Sequence, residues 1–230
     1  MKFNYSKRIL ALTHWIEADS FVIDVGTDHA HLPLALVELG ITRKILAIDN
    51  NLKPLATAEK NIIHAGFNDI IELRLNDGLR NINLNGNETI VISGLGGMLI
   101  SSILAEAKQG IKINQKFILQ PNWTWFELRK WLAENGFKIV KEQIVAEQNK
   151  LYSQLLVHYT GEEYHISDTD AFCGINIQHN HNSASEMEIY KSYLSRLKRL
   201  ATLKARSVDS YSDIVKRINH KLENLRQIYY

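Results

Sequence analysis

Residues 21–26 read Phe21-Val22-Ile23-Asp24-Val25-Gly26, a short apolar run that ends at an acid and a glycine. Such a run predicts a buried strand followed by a turn. Residues 44–49, Lys44-Ile45-Leu46-Ala47-Ile48-Asp49, repeat the arrangement after a helical segment. Strands that alternate with helices form a parallel sheet with helices on both faces. The two runs therefore predict an α/β fold.

The alternation of strands and helices continues to residue 159. Further strands are predicted at 70–75, 89–93 and 116–120, and helices at 6–17, 34–39, 52–65, 98–108 and 123–135. The last two strands, 137–147 and 151–159, leave no room for a helix between them, so they form a hairpin and one of them runs antiparallel to the others. This layout is typical of a Rossmann-like methyltransferase sheet, which is an analogy at the level of fold.

The character of the chain changes beyond Gly161. Residues 161–185 are polar with a net charge of −4, and they are predicted to be a connector or loop. From Glu186 two apolar stripes follow at spacings of three and four, made of Met187, Tyr190, Leu194, Leu197 and Ala201, and then of Ile214, Ile218, Leu222, Leu225 and Tyr229. Two helices with a turn near residues 207–210 are predicted, packed on each other or on the main domain. We therefore expect one domain at 1–160, and a connector with a helical, coiled-coil-like domain at 161–230.

Composition limits the class of protein. The 230 residues are 45% hydrophobic and 23% charged, which argues against bulk disorder. The single cysteine, Cys173, excludes an intrachain disulfide framework, and His179 and His181 have no cysteine partners nearby, so no metal is expected. The longest uncharged stretch, 89–105, is short and broken by glycines, and the N-terminus has no apolar signal core. A cytoplasmic protein without membrane contact is expected, with a monomer favoured.

The charge distribution bears on possible partners. Residues 186–230 carry a net charge of +5, although the whole chain carries only +2. A basic terminal segment after an acidic connector suggests an anionic partner, such as a nucleic acid. A solvated helical surface explains the same charges equally well.

Polar residues and glycines follow the predicted strands at their carboxyl ends, where open α/β sheets bind ligands. Asp49 comes 23 residues after Gly26, a spacing at which an acid binds both hydroxyls of a ribose. Asp77 could accept a hydrogen bond from an adenine amino group. Singly, these residues are also explained by a glycine turn, a helix N-cap and an Asp-Gly turn, and for Asp77 the turn is locally the stronger explanation. Together they outline one nucleoside pocket, formed by Asp24, Gly26, Asp28, Asp49, Asn50, Asn76, Asp77, Gly78, Ser93 and Gly94.

Two further segments lie beside this pocket. Ser93-Gly94-Leu95-Gly96-Gly97 opens the backbone, and it has no P-loop lysine that would indicate nucleotide hydrolysis. Gln120-Pro121-Asn122 follows the fifth strand and offers amide donors and acceptors. The aromatic residues Trp123, Trp125, Phe126 and Trp131 come next, and most are expected in the core. Because Trp125 and Phe126 cannot both face the same side of a helix as Trp131, one of them is expected to be exposed or near the pocket, where a base could stack.

Three of these segments together resemble the TrmK family. Residues 24–33, Asp24-Val25-Gly26-Thr27-Asp28-His29-Ala30-His31-Leu32-Pro33, are similar to the family segment D-I-G-S-D-H-A-Y-L-P. Residues 92–97 are similar to I-A-G-M-G-G, and residues 118–122 contain its L-Q-P-N. The resemblance covers about residues 5–160, with Thr27, His31, Ser93 and Leu95 standing where the family has Ser, Tyr, Ala and Met. The C-terminal segment matches in character more than in residues.

The resemblance implies a function. Members of the TrmK family are bacterial tRNA (adenine-N1)-methyltransferases that act on adenosine at position 22 and use S-adenosylmethionine. It implies tRNA as the partner, S-adenosylmethionine in the nucleoside pocket, and catalytic roles for Asp28, His29 and Asn122. Asp28 would stabilise the cationic product base or contact the cofactor, and His29 would orient the base or line the pocket. The alternatives are a methyltransferase for another RNA position, a small molecule or a protein, and a non-catalytic tRNA-binding module.

Overall fold

A seven-stranded sheet forms the centre of the molecule, whose computed structural model describes residues 3–175, 177 and 184–227. The strands are β1 (Phe21–Val25), β2 (Lys44–Asp49), β3 (Ile71–Leu75), β4 (Glu88–Leu95), β5 (Lys116–Pro121), β6 (Phe137–Glu147) and β7 (Lys150–Tyr159). The helices are α1 (Lys7–Thr13), α2 (His31–Glu38), α3 (Leu52–Ala65), α4 (Gly97–Ala107), α5 (Trp125–Glu134), α6 (Asp168–Cys173), α7 (Ala184–Lys204) and α8 (Ser210–Gln227).

The strand order is β3-β2-β1-β4-β5-β7-β6. Strands β1 to β5 pair in parallel, and β7 runs antiparallel to both β5 and β6. The predicted Rossmann-like methyltransferase sheet with one antiparallel strand is therefore confirmed. The order changes direction between β1 and β4, which places a crevice at the carboxyl ends of these two strands.

Two apolar clusters cover the two faces of the sheet. On one face, α1, α2 and α3 contribute residues such as Leu12, Leu34 and Ile62. On the other, α4 and α5 contribute residues such as Leu104 and Leu128. Because both faces are covered, the central strands are buried along nearly their whole length, as their uninterrupted apolar sequences predict.

Some helix boundaries differ from the prediction for local reasons. Helix α2 begins at His31 instead of 34, because Pro33 lies in the first turn, where its missing N–H leaves no bond unmade. Helix α5 begins at Trp125 instead of 123, because Thr124 has a left-handed φ of 53°. Helix α1 ends at Thr13, four residues earlier than predicted.

The predicted connector contains a helix that the sequence analysis missed. Ser167 precedes α6, its Oγ accepts from the backbone N–H of Asp170 at 3.1 Å, and it donates to the Asp170 carboxylate at 2.7 Å. A Ser followed three residues later by an acid is the sequence signal of such a helix start. The prediction of a loop over 161–185 is wrong at this point.

The C-terminal helices pack both on each other and on the main domain. Met187, Leu194, Leu197 and Ala201 of α7 are buried with Ile214, Ile218 and Leu225 of α8, as the stripes predict. The same cluster is bordered by Trp125 and Phe126 of α5 and by Ile144 and Leu151 of the β6–β7 hairpin. The predicted His179, His181 and Tyr229 lie outside the described residues.

A buried ion pair lies where these parts meet. Arg129 of α5 donates from Nε and Nη2 to Glu142 Oε2 at 3.0 and 2.6 Å, and both side chains are fully buried. Arg129 also donates to the carbonyl of Ala171, and Glu142 accepts from the N–H of Ile175. Burial alone would lower the pKa of Arg129, but Glu142 reverses this and raises it, so the guanidinium stays charged. The pair thereby fixes the segment around α6 to the main domain.

Within the described part of the chain, no helix combines the length and the apolar character needed to cross a bilayer. Cys173 is buried and unpaired, and burial raises the pKa of its thiol to about 11.

Candidate functional site

A cavity of about 490 Å³ lies at the carboxyl ends of the parallel strands, beside the change of strand order. Small-molecule sites typically occupy roughly 300–1,000 Å³. Its wall contains Asn122 and every residue predicted to bind a nucleoside: Asp24, Gly26, Asp28, Asp49, Asn50, Asn76, Asp77, Gly78, Ser93 and Gly94. Of the predicted site residues, His29 lies outside this wall. The fold therefore brings residues from five strand ends to one site.

Gly26 makes the turn that follows β1. Its φ of 75° lies in the left-handed region that favours glycine. The N–H groups of Gly26 and Thr27 donate to the carbonyl of Ile48 at 2.8 and 2.9 Å, which closes the turn against β2. Asp28 also has a left-handed φ, of 49°, and this conformation brings it into the cavity wall.

Asp49 is held in place by backbone donors from two loops. Its Oδ2 accepts from the N–H of Asp28 at 3.1 Å and its Oδ1 from the N–H of Asn51 at 2.9 Å. The N-cap residue of α3 is Asn51, so Asp49 is not the helix cap. Asp49 is buried, with 7% of the residue exposed, and its carboxylate keeps lone pairs available for a ligand hydroxyl.

Asp24 has an unusual protonation equilibrium. Burial raises the pKa of its carboxyl to about 7, the nearby charge of Asp49 acts in the same direction, and Thr27 and Arg8 oppose the shift. Two acids that repel each other in a buried site are both stabilised when a cation binds beside them. The cavity therefore suits a ligand with a positively charged group.

The loop after β3 forms another part of the wall. Asn76 shapes this loop, because its side-chain amide donates to the carbonyls of Gly78 and Arg80 at 3.0 and 2.9 Å. Asp77 forms an ion pair with Arg80 at 2.8 Å, with both side chains more than half exposed. Exposed pairs of this kind are weak, so the pair does not prevent Asp77 from accepting a hydrogen bond from a ligand.

Asn122 connects the ends of β4 and β5. Its backbone N–H donates to the carbonyl of Leu95 at 2.8 Å, and its Nδ2 donates to the carbonyl of Gly94 at 2.6 Å. Gly94 has a φ of 82° and lies at the irregularity in the β4–β5 pairing between Ser93 and Leu95. The side chain of Asn122 is therefore fixed at the cavity wall.

The two histidines in the segment 24–33, His29 and His31, differ in position. His31 lines the cavity and is exposed on its other side, and its partial desolvation, together with the charges of His29 and Arg8, lowers its pKa. His29 lies 5.7 Å from His31 between ring centroids, with its Nε2 3.5 Å from the Asp28 carboxylate. His31, which replaces the family's Tyr, therefore occupies the wall position expected for His29.

Two of the wall residues that the sequence analysis missed, Arg8 and Tyr152, lie outside the strand-end segments. Arg8 comes from α1, and Tyr152 comes from β7, so both lie far in sequence from the strand-end motifs. The guanidinium of Arg8 lies 5.6 Å from the centre of the Tyr152 ring. No local pattern marks either residue, because their placement depends on how α1 packs against the β6–β7 hairpin.

Most of the aromatic residues after Asn122 pack in apolar clusters, as expected, but the exposed ring is that of Trp123 and not that of Trp125 or Phe126. Trp125 and Phe126 pack at the C-terminal cluster, and Trp131 packs against Phe137 with ring centroids 5.5 Å apart. Trp123 is 58% exposed and directly follows Asn122.

The residues of the cavity wall fit a nucleoside that carries a positively charged group. They offer buried carboxylates for hydroxyl and ammonium groups, amide side chains, and a turn in which Gly26 has no side chain to block a ligand. Among the residues that the structure describes, no group of three or more His, Cys, Asp or Glu side chains could hold a metal ion.

Known proteins are similar to this chain. Residues 5–155 match the family described as a methyltransferase domain. The tRNA (adenine(22)-N(1))-methyltransferase of Bacillus subtilis is 31% identical over 151 residues, which are 66% of this chain and 63% of that protein. The match thus spans less than two thirds of that relative's length.

Solved structures extend the similarity over the whole chain. TrmK of M. capricolum, in complex with S-adenosyl-homocysteine, is 26% identical with a TM-score of 0.73, covering 98% of this chain and 99% of that one. A Streptococcus pneumoniae protein in complex with S-adenosyl-L-methionine is 27% identical with a TM-score of 0.74, covering 99% and 100%. The chain therefore belongs to the methyltransferase domain family, and its resemblance to the TrmK family is confirmed.

Proposed function

We propose that this protein transfers a methyl group from S-adenosylmethionine to N1 of adenosine 22 in tRNA. The observation that carries the proposal is the cavity in which Asp24 and Asp49 are buried beside the Gly26 turn. The similarity to the B. subtilis enzyme supports the choice of substrate. We propose that the protein acts as a monomer in the cytoplasm, where its tRNA substrate would be found.

The cofactor fits the wall residues by their chemistry. Asp49 would hold the ribose hydroxyls, and Asp77 would accept from the adenine amino group. Asp24 would pair with the ammonium of the methionine part, since its carboxylate is stabilised by a cation. When bound, S-adenosylmethionine supplies an electrophilic methyl group on a positively charged sulfur.

The chain's own residues would contribute mainly by positioning. Adenine N1 already carries an in-plane lone pair, so no general base is needed to create the nucleophile. Asn122, fixed by its bond to the carbonyl of Gly94, would orient the base at the cavity. Asp28 lies in the wall with a partly exposed carboxylate, and it would stabilise the positive charge that develops on the base.

N1 is on the pairing edge of adenine, so the base must leave its stack before it can react. We propose residues 1–160 as the catalytic domain and 161–230 as the connector and tRNA-binding domain. A groove between the β6–β7 turn and α7 supports this role. It is lined by Lys191, Arg196 and Arg199 together with Asn149 and Glu188, and cationic side chains at such a groove suit RNA phosphates.

A methyl-transfer assay on unmodified tRNA, with nucleoside mapping of the product, tests the proposal. We expect 1-methyladenosine at position 22, and loss of turnover in Asp28→Ala with cofactor affinity largely kept. Methylation at another position, or of a small molecule alone, would show that adenosine 22 of tRNA is not the substrate. Salt-dependent tRNA binding without any cofactor binding would instead indicate a non-catalytic module.

A further inference from the structure

Helix α1 is fixed to the β6–β7 hairpin by side chains from the sheet. The buried amide of Gln154 donates to the carbonyl of Arg8 at 2.8 Å, and Gln143 donates to the carbonyl of Ala11 at 3.2 Å. Glu147 accepts from the backbone N–H of Lys7 at 2.7 Å. Three contacts from two strands thus set the position of a helix that is only seven residues long. They bring the side chain of Arg8 to the cavity wall.

Arg8 begins a chain of hydrogen bonds that crosses the end of the sheet. Its Nη1 donates to Gln120 Oε1 at 2.6 Å, and Gln120 Nε2 donates to Asn122 Oδ1 at 3.0 Å. Asn122 Nδ2 in turn donates to the carbonyl of Gly94 at 2.6 Å. Gln120 is fully buried, so its amide has no water to replace a lost partner.

The two ends of this chain determine its direction. A guanidinium can only donate hydrogen bonds, and a backbone carbonyl can only accept them. One orientation of the Gln120 and Asn122 amides therefore satisfies every group between Arg8 and Gly94. Without Arg8, the Oε1 atom of Gln120 is left buried without its donor, and the amide of Asn122 loses its fixed neighbour.

The position of the chain in the sheet connects it to the substrate side of the cavity. Asp49 and Asp77 follow β2 and β3, on one side of β1 in the strand order, where the nucleoside is expected. Gly94, Asn122 and Tyr152 belong to β4, the end of β5, and β7, on the other side of β1. Arg8 stands over the face of Tyr152 on this second side.

We infer that Arg8 is a positioning residue for methyl transfer, which orients the Asn122 amide through Gln120 and with Tyr152 forms the wall that receives the target adenine. The inference rests on the proposed function, since the target base defines the side that Arg8 forms. Arg8 acts on the reaction through Gln120 and Asn122. The chemical step is the one proposed above, in which the methyl group leaves the positively charged sulfur and the positive charge passes to the adenine.

Two variants separate positioning from general stability. Arg8→Met keeps the length of the side chain and removes the donor to Gln120. Gln120→Glu keeps an acceptor for Arg8 but replaces the donor to Asn122 by a carboxylate oxygen. The matched control is Lys7→Met, because Lys7 is the exposed neighbour on α1 and its side chain lies outside the cavity wall.

The measurements are kcat and KM on unmodified tRNA, the affinity for S-adenosyl-homocysteine by calorimetry, and the melting temperature. We expect both variants to lower kcat about 10- to 100-fold, the effect of a small misplacement at a reacting centre. Cofactor affinity should change less than about threefold, and Lys7→Met should behave as the wild type.

Wild-type kcat in folded Arg8→Met would overturn the inference. So would parallel losses of melting temperature, cofactor affinity and kcat in both variants, since these would indicate a merely structural role. A wild-type protein that binds S-adenosyl-homocysteine but does not methylate tRNA would refute the proposed function itself. That result can be distinguished from a failure of the inference about Arg8, because it is measured on the wild-type protein and not on a variant.

Discussion

The replacement of Asp49 by Asn tests the nucleoside site most directly. Asparagine is nearly isosteric, but its single oxygen can accept from only one of the backbone N–H groups of Asp28 and Asn51, which donate to separate carboxylate oxygens at 3.1 and 2.9 Å. It loses the negative charge and one acceptor. A hydrogen bond to a charged group contributes about 1.5–3 kcal/mol. At about 1.4 kcal/mol per factor of ten, the variant should bind S-adenosyl-homocysteine about 10- to 150-fold more weakly.

Calorimetry with the purified variant measures this loss, with Asp69→Asn as the control. Asp69 is exposed and lies outside the cavity, so the control removes the same charge without touching the site. A melting curve on both proteins shows whether the fold is kept. Wild-type affinity in folded Asp49→Asn would remove Asp49 from the cofactor site and would leave the ribose to another residue.

Three further predictions concern the other parts of the protein. Because burial raises the pKa of Asp24 to about 7, its carboxylate is lost as the pH falls, and S-adenosyl-homocysteine should bind about tenfold more weakly at pH 6 than at pH 8; a pH profile unchanged in Asp24→Asn would contradict this. Asn122→Ala should lower turnover on tRNA more than cofactor affinity, and full turnover in steady-state assays would refute a catalytic role. Charge reversal at Arg196, Lys198 and Arg199 should weaken tRNA binding and lower its salt slope by about two, whereas an unchanged slope would favour a purely structural role for α7.

Charge reversal is a sharper test of the C-terminal helices than their removal. A protein that ended near Gly161 would lose the contacts of Ala171 and Ile175 with the fully buried Arg129–Glu142 pair. It would also expose the apolar residues of α5 and the β6–β7 hairpin that α7 and α8 cover. A buried ion pair depends on additional hydrogen bonds to its remaining polar atoms, so the loss of these bonds would destabilise the catalytic part of the chain. The three basic side chains, by contrast, can be changed without altering the apolar stripes.

Local sequence patterns were sufficient for the sheet and for the polar residues and glycines at the strand ends. Buried parallel strands must be continuous apolar runs, so β1, β2 and β4 could be located from composition alone. Because parallel strands end at the same edge, the residues after them were also predicted to meet, and Asp24, Asp49 and Asn122 do line one cavity. Helix α6 could have been found as well, from the signal at Ser167 and Asp170.

Other features were decided only when distant parts of the chain packed together. Arg8 enters the cavity because Gln154 and Gln143 hold α1 against the hairpin, more than 130 residues away along the chain. Arg129 and Glu142 look like ordinary surface charges in the sequence, and only the packing of α5 on β6 buries them as a pair. A periodic pattern shows which face of an element is apolar, but it does not show which other element will cover that face. The sequence alone therefore determined the sheet and its strand-end residues, and the tertiary structure decided the side of the cavity that Arg8 and Tyr152 form and the contact between the two parts of the chain.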